Sequence, residues 1–251
     1  EFPRLVMSVS DGEDSFTLLP EAFNYAEEYQ IPVIVLTEKQ TAECLYTQES
    51  YSQKDTEIRR GKLITDAKEL AELKGTDRYD PTVEDGVSKR WLPGAQAATY
   101  CAQSYEHTAD GSFEEGAKGA KEQMDKRMRK VELIKKNIPE PELFTVHRGQ
   151  SSEAIDQNFS GKLDLLLVGW GSTKGTVLDA LTALTSDSSS LNVGYLHYTY
   201  LWPLKTGKFE DLASKAKKVV LIEGNQQGQL GILIKQECGV DIPNKILKYD
   251  G

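Results

Sequence analysis

The stretch that most constrains the fold is Leu163–Gly175, reading Leu-Asp-Leu-Leu-Leu-Val-Gly-Trp-Gly-Ser-Thr-Lys-Gly. An apolar run ends in a Gly-x-Gly-Ser turn, and a helical pattern follows over 176–184. Parallel strands covered on both faces read as continuous apolar runs, and each passes its chain to a crossover helix. The spacing therefore predicts an α/β sheet. Glycines at such a turn let the backbone come close to a ligand or to a neighbouring element. Gly169, Gly171 and Gly175 run as Gly-x-Gly-x-x-x-Gly, which fits neither the P-loop nor the dinucleotide fingerprint. No acidic residue closes a second strand about twenty residues on, where a ribose would be held. Close packing of helix on strand, or a subunit contact, is the better reading of these glycines.

The same rhythm extends in both directions. Strands are predicted at 163–168, 192–198, 219–223 and 246–249, with helices at 173–184, 208–215 and 229–238. Alternation of this kind means a mostly parallel sheet with helices on both faces. Leu5–Val9 and Ile31–Leu36 read as strands flanking a helix over 15–30, whose Phe16, Leu19, Ala22, Phe23 and Ala26 form an apolar stripe. Between them and the carboxy-terminal sheet, 41–90 is polar and reads as long loop with one helix over 58–73. A longer helix spans 113–137. Its Met124, Met128, Val131 and Ile134 make an apolar core stripe, and Lys126, Arg127, Arg129 and Lys130 read as a solvated basic face. The aromatic run Tyr195–Leu204 would point alternate residues to opposite faces, so part of it is expected to be buried in a partner.

Charge and cysteine usage exclude some functions. The chain has 251 residues and a net charge of −9, which argues against nucleic acid as the main partner. No apolar stretch approaches the roughly 18 residues of a membrane span, and no signal peptide is visible. Cys44, Cys101 and Cys238 lie far apart, with no Cys-x-x-Cys, which suits a reducing, cytoplasmic setting and leaves too few thiolates for an iron–sulfur cluster. His107, His147 and His197 are too scattered to suggest a metal site. There is no Gly-x-Ser-x-Gly nucleophile elbow, and no histidine completes a triad around Ser172.

Longer strings carry more information. Asp85-Gly86-Val87-Ser88-Lys89-Arg90-Trp91-Leu92-Pro93-Gly94 resembles the Asp-Gly-Ile-Ser-Pro-Arg-x-x-Pro-Gly segment of 2-oxoacid:ferredoxin oxidoreductase alpha subunits. Glu106-His107, followed by Asp110-Gly111, is similar to that family's Glu-His-Asp-Glu segment. Met124–Lys130, running Met-x-Lys-Arg-x-x-Lys, resembles its Met-x-x-Lys-Arg-x-x-Lys helix one residue shorter, and Glu223–Leu230 matches its Glu-x-Asn-x-x-Gly-Gln-Leu turn. Glu1–Arg4 and Ile31–Leu36 fit as well, so the resemblance runs through nearly the whole chain in order. It departs at Lys89, where the family usually has proline, and at Thr108-Ala109, where a second acidic residue is common.

The resemblance implies an α/β fold: the end of a thiamine-pyrimidine-binding-like domain over 1–50, a long linker with wrapping helices over 51–142, and a transketolase C-terminal-like three-layer α/β/α domain over 143–251. It implies oxidative decarboxylation of a 2-oxoacid on thiamine diphosphate, acyl transfer to coenzyme A as substrate, and electrons passed to ferredoxin. Thiamine diphosphate, magnesium and a 4Fe-4S cluster would sit mainly on a partner beta subunit or a missing domain, with a gamma subunit or domain completing the complex. The family's Tyr-Pro-x-Thr-Pro motif is not in this sequence, so its catalytic residues are expected upstream and the isolated chain is expected to be inactive. The candidates left are Arg90, which could hold an anion bidentately or make a loop salt bridge, the pair Glu106 and His107, and Glu43 near a strand end. Asn225 and Gln226 are read as shaping a turn. The Glu-His segment favours 2-oxoglutarate as substrate. Two other readings stay open: a non-catalytic assembly or regulatory module, and a nucleotide-binding domain resting on the Gly169–Gly171 turn.

Overall fold

The computed structural model describes residues 2–45, 47, 50–51, 57–102, 105–146, 161–186 and 191–249; His147 lies outside them. The chain divides into two compact units, one made of Glu1–Leu5, Pro20–Val33 and Asp55–Asn137, the other of Val6–Leu19, Ile34–Lys54 and Ile138–Gly251.

The second unit is built on a five-stranded sheet. Its strands are β5 (Glu142–Val146), β6 (Leu165–Trp170), β7 (Val193–Tyr198), β9 (Val219–Glu223) and β10 (Asn244–Leu247), in the order β10-β9-β6-β7-β5. Pairings are parallel except at β5, which runs antiparallel along β7 with Glu142 opposite His197 and Val146 opposite Val193. The three crossovers are α5 (Thr173–Ser186), α6 (Gly207–Lys215) and α7 (Gln229–Cys238). Side chains alternate along a strand, and the core splits accordingly. Leu166, Val168, Leu196 and Tyr198 pack with Phe209 and Leu212 of α6 and Leu230 and Ile234 of α7. Phe144, Val146, Val193 and Tyr195 pack with Val177 and Leu181 of α5 on the other face. The expected α/β class with helices on both faces is therefore present. The edge strand β5 went unread from sequence because Glu-Leu-Phe-Thr-Val is short and follows two prolines.

A second sheet in this unit has the order β2-β1-β8, from β1 (Leu5–Ser8), β2 (Val33–Leu36) and β8 (Tyr200–Trp202), with β8 antiparallel to β1. The aromatic run 195–204 thus feeds two sheets. Tyr195, Leu196 and Tyr198 are buried within this chain's own core, while Tyr200 and Trp202 are half-buried.

The first unit is held by the carboxy-terminal part of α1 (Gly12–Tyr29) and by α4 (Ala117–Asn137). Between them run α2 (Lys39–Glu43), which belongs to the second unit, then α3 (Ala67–Glu72) and a two-stranded ribbon, β3 (Glu106–His107) with β4 (Phe113–Glu114). The helix expected over 58–73 shrinks to α3, capped by Asp66, whose carboxylate accepts from the Lys68 and Glu69 amides. Residues 57–61 instead form non-helical chain held against α1. Asn24 accepts from the Arg59 amide at 2.9 Å and donates to the Glu57 carbonyl at 2.8 Å, while the Arg59 guanidinium bridges Glu21 and Glu28. Likewise the helix expected from 113 begins at Ala117, because Phe113 and Glu114 pair as a strand with Glu106 and His107.

Candidate functional site

The glycine turn at 169–171 is filled from within its own unit. Gly171 takes φ +64°, and the carboxylate of Glu38 sits where its side chain would project. Ser172 donates to Glu38 through its hydroxyl at 2.6 Å and its amide at 3.3 Å. A side chain at Gly169 would press on the Ile222 carbonyl at 2.9 Å. The amino terminus of α5, where a phosphate would be drawn by free N–H groups and the helix dipole, already holds a protein carboxylate. The same device recurs at α7. The Glu223 carboxylate, 1% exposed, accepts from Trp170 Nε1 (2.8 Å), Asn225 Nδ2 (2.6 Å) and the Leu230 and Gly231 amides (3.2 Å each). Asn225 Oδ1 in turn accepts from the Gly228 and Gln229 amides. The Glu-x-Asn-x-x-Gly-Gln-Leu string is a helix cap, with Asn225 shaping the turn.

Chemistry that stands out lies in the first unit. The buried positions of α4 are Gln123, Lys126, Lys130, Val131 and Ile134, one face at helical spacing. Two lysines read as solvated are thus inside, with Lys126 5% and Lys130 8% exposed. Met124 and Met128, read as core, are only half-buried. The turn Asp85-Gly86-Val87-Ser88 lies directly on this face. Gly86, at φ +74°, leaves no room for a side chain against the Lys126 carbonyl, and Ser88, 2% exposed, accepts from Lys126 Nζ at 2.6 Å. Gln30 closes a ring. Its side-chain amide donates to the Ser88 carbonyl at 2.6 Å, its Oε1 accepts from Arg78 at 3.1 Å, and its main-chain carbonyl accepts from Lys130 Nζ at 3.2 Å. Gln30 has φ +51°, the one positive φ outside glycine among the described residues. Glycine is the usual occupant of that conformation past a helix end, and here the side chain reaches two partners that glycine could not.

An aromatic wall flanks the ring. The Arg78 guanidinium lies 4.7 Å over the Tyr79 ring and 5.5 Å from that of Tyr100, which meets Trp91 edge-on. His107 stacks on Tyr79 at 4.4 Å with planes 2° apart, and Glu106 beside it takes a bidentate hold from Arg127. That hold keeps the Glu106 carboxyl below its usual range. Burial, then repulsion from Lys130 and Arg78, lowers Lys126 to about 7, against the attraction of Asp80. Lys130 is lowered to about 8, first by burial and then by Arg78 and Arg127, with Asp85 opposing.

These lysines fix a pH dependence. Their native values lie below the unfolded value near 10.4, so between about pH 7 and 10 the unfolded chain binds more protons than the native one, and stability rises with pH. The urea midpoint at pH 9.5 is expected to exceed that at pH 7, and the double variant Lys126→Met/Lys130→Met should flatten the difference. A wild-type midpoint that falls over this interval would contradict the burial of the two ammonium groups.

The residues singled out from sequence fare differently. Arg90 is an ion-pair partner of Glu27 and donates to the Arg60 carbonyl at 3.1 Å, the salt-bridge alternative. Glu106 and His107 do meet the aromatic wall. Glu43 is an exposed residue of α2 in the second unit, 4.0 Å from Lys39, and does not join the cluster. Sequence reading missed Gln30, Arg78, Tyr79, Ser88, Lys126 and Lys130. The one signal available was the i, i+4 placement of Lys126 and Lys130 in register with Ile134. Among the described residues no three His, Cys, Asp or Glu side chains converge as a metal site requires, and the cysteines are free thiols. The two glycine turns that could take a diphosphate hold carboxylates. No helix is long and apolar enough to cross a membrane among the residues described.

No family model matches the chain. Curated relatives do, over its whole length. It is 29% identical over 253 residues to subunit alpha of 2-oxoacid:ferredoxin oxidoreductase 1 from Sulfurisphaera tokodaii, covering all of this chain and 36% of the relative. It is 30% identical over 251 residues to subunit alpha of 2-oxoacid:ferredoxin oxidoreductase 2 from Aeropyrum pernix, covering 99% of this chain and 36% of the relative. Among solved structures it is similar to the 2-oxoglutarate:ferredoxin oxidoreductase from Magnetococcus marinus with 2-oxoglutarate, coenzyme A and succinyl-CoA bound, with a TM-score of 0.79, 28% identity, and coverage of 98% of this chain and 39% of that one. The chain spans little more than a third of the relatives it matches.

Proposed function

We propose that this chain, similar over its whole length to alpha subunits of 2-oxoacid:ferredoxin oxidoreductases, is a portion of such a subunit and works in a multi-subunit complex. The complex converts a 2-oxoacid and coenzyme A to acyl-CoA and carbon dioxide, passing electrons to ferredoxin. The observation that carries the reading is convergence. The strings at 85–94, 106–107 and 124–130, separated in sequence, fold onto one another through Gly86 against Lys126, Ser88 with Lys126 and Glu106 with Arg127. Thiamine diphosphate, when bound, supplies the electron sink for decarboxylation, and it belongs with magnesium and the 4Fe-4S cluster on the beta subunit or elsewhere in the complex. This chain's own residues build a rigid, cation-rich wall on α4 and a carboxylate-capped α/β layer. The bound 2-oxoglutarate of the Magnetococcus neighbour supports 2-oxoglutarate as the substrate.

The test is turnover. The assembled complex carrying this sequence is expected to reduce ferredoxin or a viologen dye only when a 2-oxoacid and coenzyme A are both present, with 2-oxoglutarate preferred to pyruvate. The isolated 251-residue chain should show none. Robust activity of the isolated chain, or a complex indifferent to 2-oxoacids, would overturn the proposal. The carboxylate-filled turns also favour a second reading, an assembly or regulatory module. It requires Arg90→Ala and His107→Ala complexes to keep full turnover, and a tenfold loss would exclude it.

A further inference from the structure

We infer that the buried Lys126 and Lys130 and the half-buried Arg78 form an oxyanion site in the first unit, one that takes the carboxylate or phosphate group of a small ligand. An ammonium carries three N–H donors and a guanidinium five. Lys126 donates to Ser88 Oγ, Lys130 to the Gln30 carbonyl and Arg78 to Gln30 Oε1, all neutral acceptors, and Arg78 Nε is buried with no partner. Among the described residues none of the three cations has an ion pair.

The carboxylates nearby are committed elsewhere. Glu106 is held by Arg127, Asp85 by Lys62 at 2.8 Å, and Asp80 accepts from the Thr82 amide and hydroxyl. Arg129 is turned to the Pro81 and Val83 carbonyls. Lys130 gains partial compensation from the carboxy-terminal end of α1, where a cation is favoured; Lys126 has the attraction of Asp80 without an ion pair, and Arg78 has the faces of Tyr79 and Tyr100. Buried charges are normally paired, since an isolated one costs far more than its hydrogen bonds return. The contrast with the neighbouring cleft, about 630 Å³, is instructive: its Lys62, Arg129 and Lys136 are matched by Glu84, Asp85 and Glu132. The cleft is balanced, whereas among the described residues the Lys126 cluster has no carboxylate in ion-pair contact, only the more distant attraction of Asp80 and Asp85. An oxyanion accepting from Lys126 and Arg78 would supply that charge while leaving the Gln30–Ser88 ring intact. The bonds it makes would join an ionised donor to an ionised acceptor, where those present have neutral acceptors.

The inference does not depend on turnover by the complex. It is tested on the 251-residue chain by calorimetric titration, at fixed ionic strength, with inorganic phosphate, with 2-oxoglutarate and with coenzyme A. At least one should bind saturably, more tightly at pH 6 than at pH 9 because the site needs its ammonium protons. Lys126→Met should weaken binding at least tenfold, while Lys121→Met, an exposed lysine on the same helix, should leave it unchanged. Phosphate binding without 2-oxoglutarate binding would assign the site to a phosphate-bearing ligand, and the reverse to a carboxylic acid. Circular dichroism checks that Lys126→Met is folded, and Lys126→Arg, which keeps a cation at the same position, serves as a second variant that should retain saturable binding. No saturable heat with any of the three probes, or equal binding by wild type and Lys126→Met, would overturn the inference.

Discussion

Gly86→Ala is expected to loosen the first unit more than any other single change in the 85–94 turn. Two costs add. The backbone at φ +74° is a left-handed conformation that a residue with a Cβ adopts at about 1–2 kcal/mol. The new Cβ would also meet the Lys126 main-chain carbonyl, with the Lys130 amide at 3.3 Å and its Cγ at 3.1 Å. A main-chain oxygen in a helix cannot swing aside, so the turn must lift off α4, and overpacking of this sort costs about 1–3 kcal/mol more. Lifting the turn also pulls Ser88 from Lys126. Gly94→Ala separates the two costs, since Gly94 has φ +82° but open space around it, and should show only the backbone part. Amide hydrogen exchange over 124–134 should quicken markedly in Gly86→Ala and little in Gly94→Ala, with 219–223 in the other unit unchanged. Equal effects at Gly86 and Gly94 would mean that the turn does not rest on the helix.

How much of this was legible in the sequence depended on what the residues answer to. The sheet unit was readable because its signals are local. Leu165–Val168 and Val219–Ile222 are apolar runs long enough to declare buried strands, and Gln229–Cys238 ends in Gly239 at φ +77°, a helix stop that sequence displays. The first unit was not readable, because its order comes from pairings across long separations. Arg59 reaches Glu21 and Glu28, Lys62 reaches Asp85, and Arg127 reaches Glu106. None of these leaves periodicity. The lysines of α4 misled for a related reason. A charged residue on a helix is usually solvated, and only the turn that covers Lys126 and Lys130 reverses that, by a contact between residues 38 apart. Of the candidate site, Glu106 and His107 were found through resemblance to a family, while Gln30 could not be, since a glutamine at a helix end carries no mark of its positive φ.

Glu223→Ala is expected to cost the second unit about 3–5 kcal/mol, since several donors lose their acceptor at once and each buried one left unsatisfied costs about 1–3 kcal/mol. The carboxylate ends a central strand and gathers four donors: the Trp170 indole, the Asn225 amide and two main-chain N–H groups of the first turn of α7. Those N–H groups have no partner inside the helix, and the helix dipole at that end favours a negative charge. Alanine would leave the two main-chain donors buried without an acceptor, would strip the half-buried Trp170 and Asn225 donors of theirs, and would free Asn225, which positions the Gly228 and Gln229 amides. Glu223→Gln keeps the shape and one acceptor oxygen but turns a donor toward donors, so it should cost less, about 1–3 kcal/mol. The ordering Glu, Gln, Ala in urea midpoint, read from the Trp170 signal that reports directly on this network, is the expected result. If Gln and Ala lie within about 0.5 kcal/mol of each other, which is the scatter of neutral surface changes, the carboxylate is not what holds the end of β9 to the start of α7. That outcome would leave the amino terminus of α7 open to an external anion, the role assigned above to the protein's own side chain.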